Sequence, residues 1–213
     1  MNPVNHRLLA SCLLLCSGAV VSAADFKPDD DGYLRNWLVL EAFEVGEKAS
    51  EHSEDAQKDF LTKESFTGHF KAKPKEGDKV TITMTGVTAA DVTWRAGQAD
   101  GAVYALEQKE NALYLAVVYV TSEQELTEAV LSIGSDDSSS WRVNGAEVLT
   151  VYAGRAAEAD QDKSSPFTLT KGTNVISAII INGGGEVGLS ARILDKNGSA
   201  VKNVTVSLTP PTN

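Results

Sequence analysis

Ser132-Ile133-Gly134-Ser135-Asp136-Asp137-Ser138-Ser139-Ser140-Trp141-Arg142-Val143-Asn144-Gly145 is the stretch on which the fold turns. Val130 to Ile133 is an apolar run of strand length, and a polar loop carrying two adjacent carboxylates follows it. Alternation then resumes. Ser139, Trp141 and Val143 fall on one face of a second strand, and Ser140, Arg142 and Asn144 on the other. Asn144-Gly145 supplies two positive-φ positions, which is what a two-residue hairpin turn demands. The segment therefore reads strand, acidic loop, strand, tight turn. Trp141, on the alternating apolar face, is assigned to the core.

The same grammar extends in both directions. Tyr33 to Phe43, Val80 to Met84, Val92 to Trp94, Ala112 to Val120, Val148 to Tyr152, Val175 to Ile181, Val187 to Ile193 and Val201 to Leu208 are rich in Val, Ile, Leu, Tyr and Trp. Lys171-Gly172, Gly183-Gly184-Gly185 and Asn197-Gly198 lie between such runs and predict hairpins and antiparallel pairing. One helical signal interrupts them: Ser53-Glu54-Asp55, with Phe60-Leu61 behind it, predicts a short helix with acidic residues in its first turn. There is no βαβ alternation and no repeat period. The expected fold is all-β, a two-sheet antiparallel β-sandwich with one short helix.

The N-terminus sets the compartment. Met1 to Arg7 is a short positive region, Leu8 to Val21 is apolar or small, and Val21-Ser22-Ala23 is a signal-peptidase pattern. Residues 1–23 are read as a signal peptide and 24–213 as a single domain, secreted or periplasmic. The apolar stretch is too short for a membrane span and is soon followed by Asp25, Lys27 and Asp29-Asp30-Asp31. Leu9-Ala10-Ser11-Cys12 looks like a lipobox, but most of the apolar run lies after it. Cleavage after Ala23 removes Cys12 and Cys16, so the mature chain has no thiol chemistry.

Charge narrows the partners. Of the 19 basic residues only Arg7 leaves with the leader, so the mature balance is 18 − 29 = −11. Such a surface repels phosphates and anionic headgroups, which argues against nucleic acid and membrane. A glycan or polysaccharide, a cation, or an extracytoplasmic protein remains.

Three stretches resemble a known family. Asp31-Gly32-Tyr33-Leu34-Arg35-Asn36-Trp37-Leu38-Val39-Leu40 looks like the opening strand of secreted bacterial jelly-roll modules of the galactose-binding-like type. Ser132 to Asp137 with Trp141 to Gly145 is similar to their central "GSDD…W-x-x-NG" segment, which PA14-like modules also carry. Leu169 to Ile176 resembles their "L-x-x-G-x-N-x-(hydrophobic)" strand start. The resemblance implies a sugar-binding-like sandwich of the kind attached to carbohydrate-active enzymes.

Candidate site residues follow. Asp136 and Asp137 present several hard oxygens on one loop, the chemistry Ca²⁺ prefers. In calcium-dependent PA14-like lectins the matching pair holds a Ca²⁺ that grips sugar hydroxyls, although here Ser138 replaces the usual Gly. The competing reading is that the pair accepts hydrogen bonds from turn N–H groups. Trp94, with Arg95 beside it at a strand-to-loop transition, is the tryptophan best placed to stack on a sugar ring, and Arg142 is a further candidate ligand contact. Asp29-Asp30-Asp31, expected to be a solvated terminal cluster, and Asp160 with Asp162 are weaker cation candidates. Only His52 and His69 survive cleavage, without metal-binding spacing, and no Ser sits in a G-x-S-x-G elbow. The expectation is a non-catalytic carbohydrate-binding module, with a protein-interaction scaffold as the alternative.

Overall fold

The computed structural model describes residues 25–211, so the leader and its cleavage site lie outside the described residues. The strands are β1 (Asp25–Phe26), β2 (Asn36–Glu44), β3 (Lys79–Thr81), β4 (Asp91–Gln98), β5 (Tyr104–Ala105), β6 (Ala112–Ser122) and β7 (Leu126–Asp136). They continue as β8 (Ser139–Val143), β9 (Ala146–Val151), β10 (Asp162–Lys163), β11 (Phe167–Leu169), β12 (Gly172–Asn182), β13 (Gly188–Leu194) and β14 (Val204–Ser207). The helix α1 spans Glu54–Thr62, and Ser53 caps it by accepting the Ala56 N–H at 3.3 Å.

The strands form two antiparallel sheets. The larger runs β3-β4-β2-β6-β12-β8-β9, with β14 beside β6 beyond the end of β2, and β1 on β14. The smaller runs β10-β7-β13-β5, with β11 also on β7. Every apolar run named from the sequence contributes to one of these strands. Strands β1, β5, β10 and β11, of two or three residues each, carry too little pattern to be read beforehand.

Two apolar layers explain why β6 and β12 are apolar almost throughout. On β6, Tyr114, Ala116, Val118 and Val120 face the smaller sheet, while Leu113, Leu115, Val117 and Tyr119 face the opposite way. On β12, Ile176, Ala178 and Ile180 face inward, and Ile179 and Ile181 outward. The inner layer is the sandwich core. Trp37 and Trp141 lie within it, both fully buried, with ring centroids 6.2 Å apart at 76°. That edge-to-face contact adds about 1 kcal/mol to the burial of the two rings. The outer layer is covered by the segment from Val45 to Ala90, which includes α1 and contributes Leu61, Phe66, Ile82 and Met84.

Asn144-Gly145 makes the expected hairpin between β8 and β9, with φ of 53° and 82°. Two other glycine segments do not make hairpins. Lys171-Gly172 leads from β11 in the smaller sheet to β12 in the larger, and Gly183-Gly184-Gly185 leads back from β12 to β13. Turn chemistry states that the chain bends, not which sheet the next strand joins.

Candidate functional site

Asp136 and Asp137 sit where the chain crosses from β7 in one sheet to β8 in the other. The β12-to-β13 crossing runs alongside: Gly188 pairs with Asp136, the Asp137 N–H donates to Ile181 O at 2.8 Å, and the Ile181 N–H donates to Ser138 O at 2.9 Å. The peptide bond between the two aspartates is cis. Both residues are 7% exposed.

The two carboxylates have different surroundings. Asp137 accepts the Arg155 N–H on Oδ1 at 2.8 Å and the Gly183 N–H on Oδ2 at 2.9 Å. Its oxygens thus tie the acidic crossing to the glycine crossing and to the chain after β9. His52 Nδ1, buried and without a hydrogen bond among the described residues, lies 3.9 Å from Oδ2. The ring fits because its neighbours are glycines: a Cβ on Gly154 would stand 2.7 Å from His52 Cδ2, and one on Gly183 3.0 Å from Cε1. Asp136 instead lines a cavity of about 310 Å³ with Val103, Leu106, Gln108, Ala157 and Glu186. It has no Lys or Arg partner among the described residues. Burial, and after it the charge of Asp137, push its carboxyl up to about 6, while the Ala157 N–H acts in the opposite sense.

A strap formed by residues 153–161 holds this arrangement. Besides its backbone bond to Asp137, Arg155 donates through Nε to Ser135 O at 3.1 Å and pairs with Asp162 at 2.6 Å. Asp160 accepts from Arg192 at 2.9 and 2.6 Å, from Tyr33 Oη at 2.8 Å and from Ser132 Oγ at 2.6 Å. These bonds correct two cation candidates: Asp160 and Asp162 face guanidinium groups, which already neutralise them. Asp29 is likewise no loose terminal charge, since its Oδ1 accepts the N–H groups of Asp31 and Tyr33 in a formed turn.

Two of the three candidate ligand contacts are also corrected. Trp94 is 1% exposed and belongs to the outer apolar layer, because β4 continues to Gln98 and presents Val92 and Trp94 to the covering segment. A ring so buried offers no face to a sugar. Arg142 is 4% exposed; it donates to Ser140 Oγ, Leu61 O and Glu147, and its guanidinium carbon lies 3.9 Å from the centre of the Phe70 ring. It pins the end of α1 to the sheet. Arg95, on the other face of β4 from Trp94, remains exposed and pairs with Glu41. The structure brings Asp136 and Asp137 together and leaves Arg95 on another flank.

His52, Arg155, Gly183 and Gln108 were not legible as site residues. They come from distant parts of the chain; Gly183 belongs to a stretch that signals only a turn, and the other three carry no local motif.

No protein-family model matches this chain, and no curated protein matches it. Among solved structures it is similar to the PA14 domain of the MpAFP antifreeze protein, at 13% identity and TM-score 0.41, over 83% of this chain and 92% of that one. The PA14 sugar-binding domain from an RTX adhesin is similar at 14% identity and TM-score 0.42, over 82% and 99%. An Epithelial Adhesin A domain from Candida glabrata, solved with β-lactose, is similar at 9% identity and TM-score 0.34, over 88% and 93%.

Proposed function

We propose that this chain is an exported, non-catalytic carbohydrate-binding module that takes its ligand at the Asp136–Asp137 crossing with the help of Ca²⁺. The observation that carries the reading is the position of Asp136. Its carboxyl lines a cavity of about 310 Å³, within the range of small-ligand sites, and it adjoins a second carboxylate; among the described residues neither forms an ion pair with a Lys or Arg side chain, and His52 is the one ionisable base beside them. Folding has not used this group as it has used Asp160 and Asp162.

The residues fit a hard cation. Asp136 and Asp137 would hold it, Asp137 through the lone pairs left over by the Arg155 and Gly183 N–H groups. Among the described residues no third His, Asp, Glu or Cys joins them in a metal-holding cluster, so further oxygens must come from backbone, water or ligand. Bound Ca²⁺ would supply a fixed positive charge to which ligand hydroxyls coordinate. The chain's own part is to exclude water with Val103 and Leu106, and to offer Gln108 and Glu186 as hydrogen-bonding groups at the cavity wall.

Calorimetric titration of Ca²⁺ into the protein, repeated on Asp136→Asn, tests the proposal, followed by a glycan panel with Ca²⁺ and with chelator. Saturable heat lost in the variant, and glycan binding abolished by chelator, are expected. No Ca²⁺ heat and no glycan binding would overturn it.

A further inference from the structure

We infer that the open flank of the sandwich, between β2 and β4 on one side and the edge strand β5 on the other, is a second ligand site, which takes a neutral saccharide ring without a metal. The smaller sheet ends at β5, which is two residues long, while the larger sheet continues beneath it through β2 and β4. A cavity of about 470 Å³ is left there, lined by Val39, Glu41, Arg95, Tyr104, Leu106 and Tyr114 among others. It is separate from the cavity at Asp136, and the Tyr104–Gln108 segment forms a wall of both.

The lining is not that of an unfinished core. Inward positions that would close the sandwich with apolar side chains carry Glu41 on β2 and Arg95 on β4 instead, with side chains 36% and 67% exposed. The pair is held in place: Glu41 Oε2 accepts the Thr93 N–H at 2.9 Å, and Oε1 accepts from Arg95 Nε at 2.7 Å and from Nη2. Two of the five guanidinium N–H groups are therefore engaged among the described residues, and one Oε2 lone pair stays open. An acceptor and several donors stand side by side on an electroneutral floor. Lys109, at the rim, lies 3.8 Å from Glu44, so that end is neutralised as well. Neighbouring hydroxyls of a sugar match this pair, one donating to the carboxylate and the next accepting from the guanidinium. Glu107, the further carboxylate of the lining, has no basic partner among the described residues, so an anion is repelled there, whereas a neutral ligand meets no such penalty. Tyr104 supplies the apolar side: it is half-buried, and it leans so close to β4 that a Cβ on Gly97 would stand 1.7 Å from its hydroxyl oxygen. Val39 and Leu106 extend that surface, giving the mixed apolar and polar lining of a ligand site.

The inference shares only its ligand class with the proposed function, and one experiment separates the two. Backbone amide shifts of the protein are followed by NMR in excess chelator during titration with the methyl glycosides of glucose, galactose, mannose, fucose and N-acetylglucosamine, and with lactose and cellobiose. Saturable shifts at Val39, Arg95, Gly97 and Tyr104 are expected with at least one of these sugars. They should persist in Asp136→Asn and require about tenfold more sugar in Arg95→Met, with Glu41→Gln as a second variant at the same pair. Absence of saturable shifts at those amides with every sugar overturns the inference. Shifts confined to the Asp136 crossing, and seen only with Ca²⁺, overturn it while leaving the proposed function standing.

Discussion

Gly134 lies directly beneath the carbonyl oxygen of Glu158: a Cβ on Gly134 would stand 1.7 Å from that oxygen. The contact is backbone on backbone, so a flexible side chain cannot relieve it. Gly134→Ala must lift the 153–161 strap, which carries the N–H groups bonded to Asp137 and Asp136. We expect a loss of about 1–3 kcal/mol in urea unfolding, the usual range for overpacking, together with weaker Ca²⁺ binding. An unchanged unfolding midpoint would show that the strap yields freely.

Asp160 holds the far end of the strap with Arg192, Tyr33 and Ser132. Its φ of 62° is one that Asn also tolerates, so Asp160→Asn alters charge and leaves the backbone in place. The expected cost is about 1.5–3 kcal/mol, typical of hydrogen bonds to charged groups. The tyrosine reports the same change. Burial, and next the hydrogen bond to Asp160, raise Tyr33 to about 12, so the variant should ionise at lower pH, as followed by phenolate absorbance.

His69 sits between Phe66 and Phe70, with ring centroids 5.1 Å away on each side, and accepts the Ser65 N–H on Nδ1 at 3.3 Å. Burial, and after it the Arg142 charge, depress its pKa to about 3. In the unfolded chain it protonates near 6.5, so its contribution is present in full above that pH and is lost as pH falls toward about 3. Each pH unit in that window costs up to ~1.4 kcal/mol. Unfolding midpoints of wild type and His69→Gln, compared at neutral pH and near pH 4.5, should converge as pH falls. A constant difference would mean that the imidazole does not stay neutral.

The sandwich was legible because its signals are local. Ser139 to Gly145 alternates and then turns, and Ser53-Glu54-Asp55 caps a helix as read. Ala112 to Val120 announced a strand, but its unbroken apolar character also encoded a second buried face, which became visible only once Val45 to Ala90 was seen to pack there. Trp94 was misplaced for that reason, since its partner Leu40 and the cover over both are remote in sequence. The acidic pair could be named but not characterised. Asp137 is engaged by Arg155 and, 46 residues away, by Gly183, and Asp136 is left facing a cavity whose lining is likewise remote in sequence.

The difference between the two aspartates leads to opposite stability effects with and without calcium. The Asp136 pKa, at about 6 in the fold against 3.8 ordinarily, is raised, so its charged form destabilises the fold at neutral pH. The corresponding stability is present below about pH 4 and is lost as pH rises through 6. Asp136→Asn removes that charge in nearly the same shape. In chelator at pH 7.5 the variant should be more stable than wild type by roughly 1 kcal/mol, after discounting for solvent screening, and the advantage should vanish near pH 4. Saturating Ca²⁺ should reverse the order at pH 7.5, because a cation that binds only the native state stabilises wild type in proportion to the logarithm of its concentration over Kd. Asp137→Asn should instead destabilise under both conditions, since it weakens the acceptors of the Arg155 and Gly183 N–H groups. If the two variants behaved alike in chelator, the division of labour between a facing carboxylate and a structural one would be wrong.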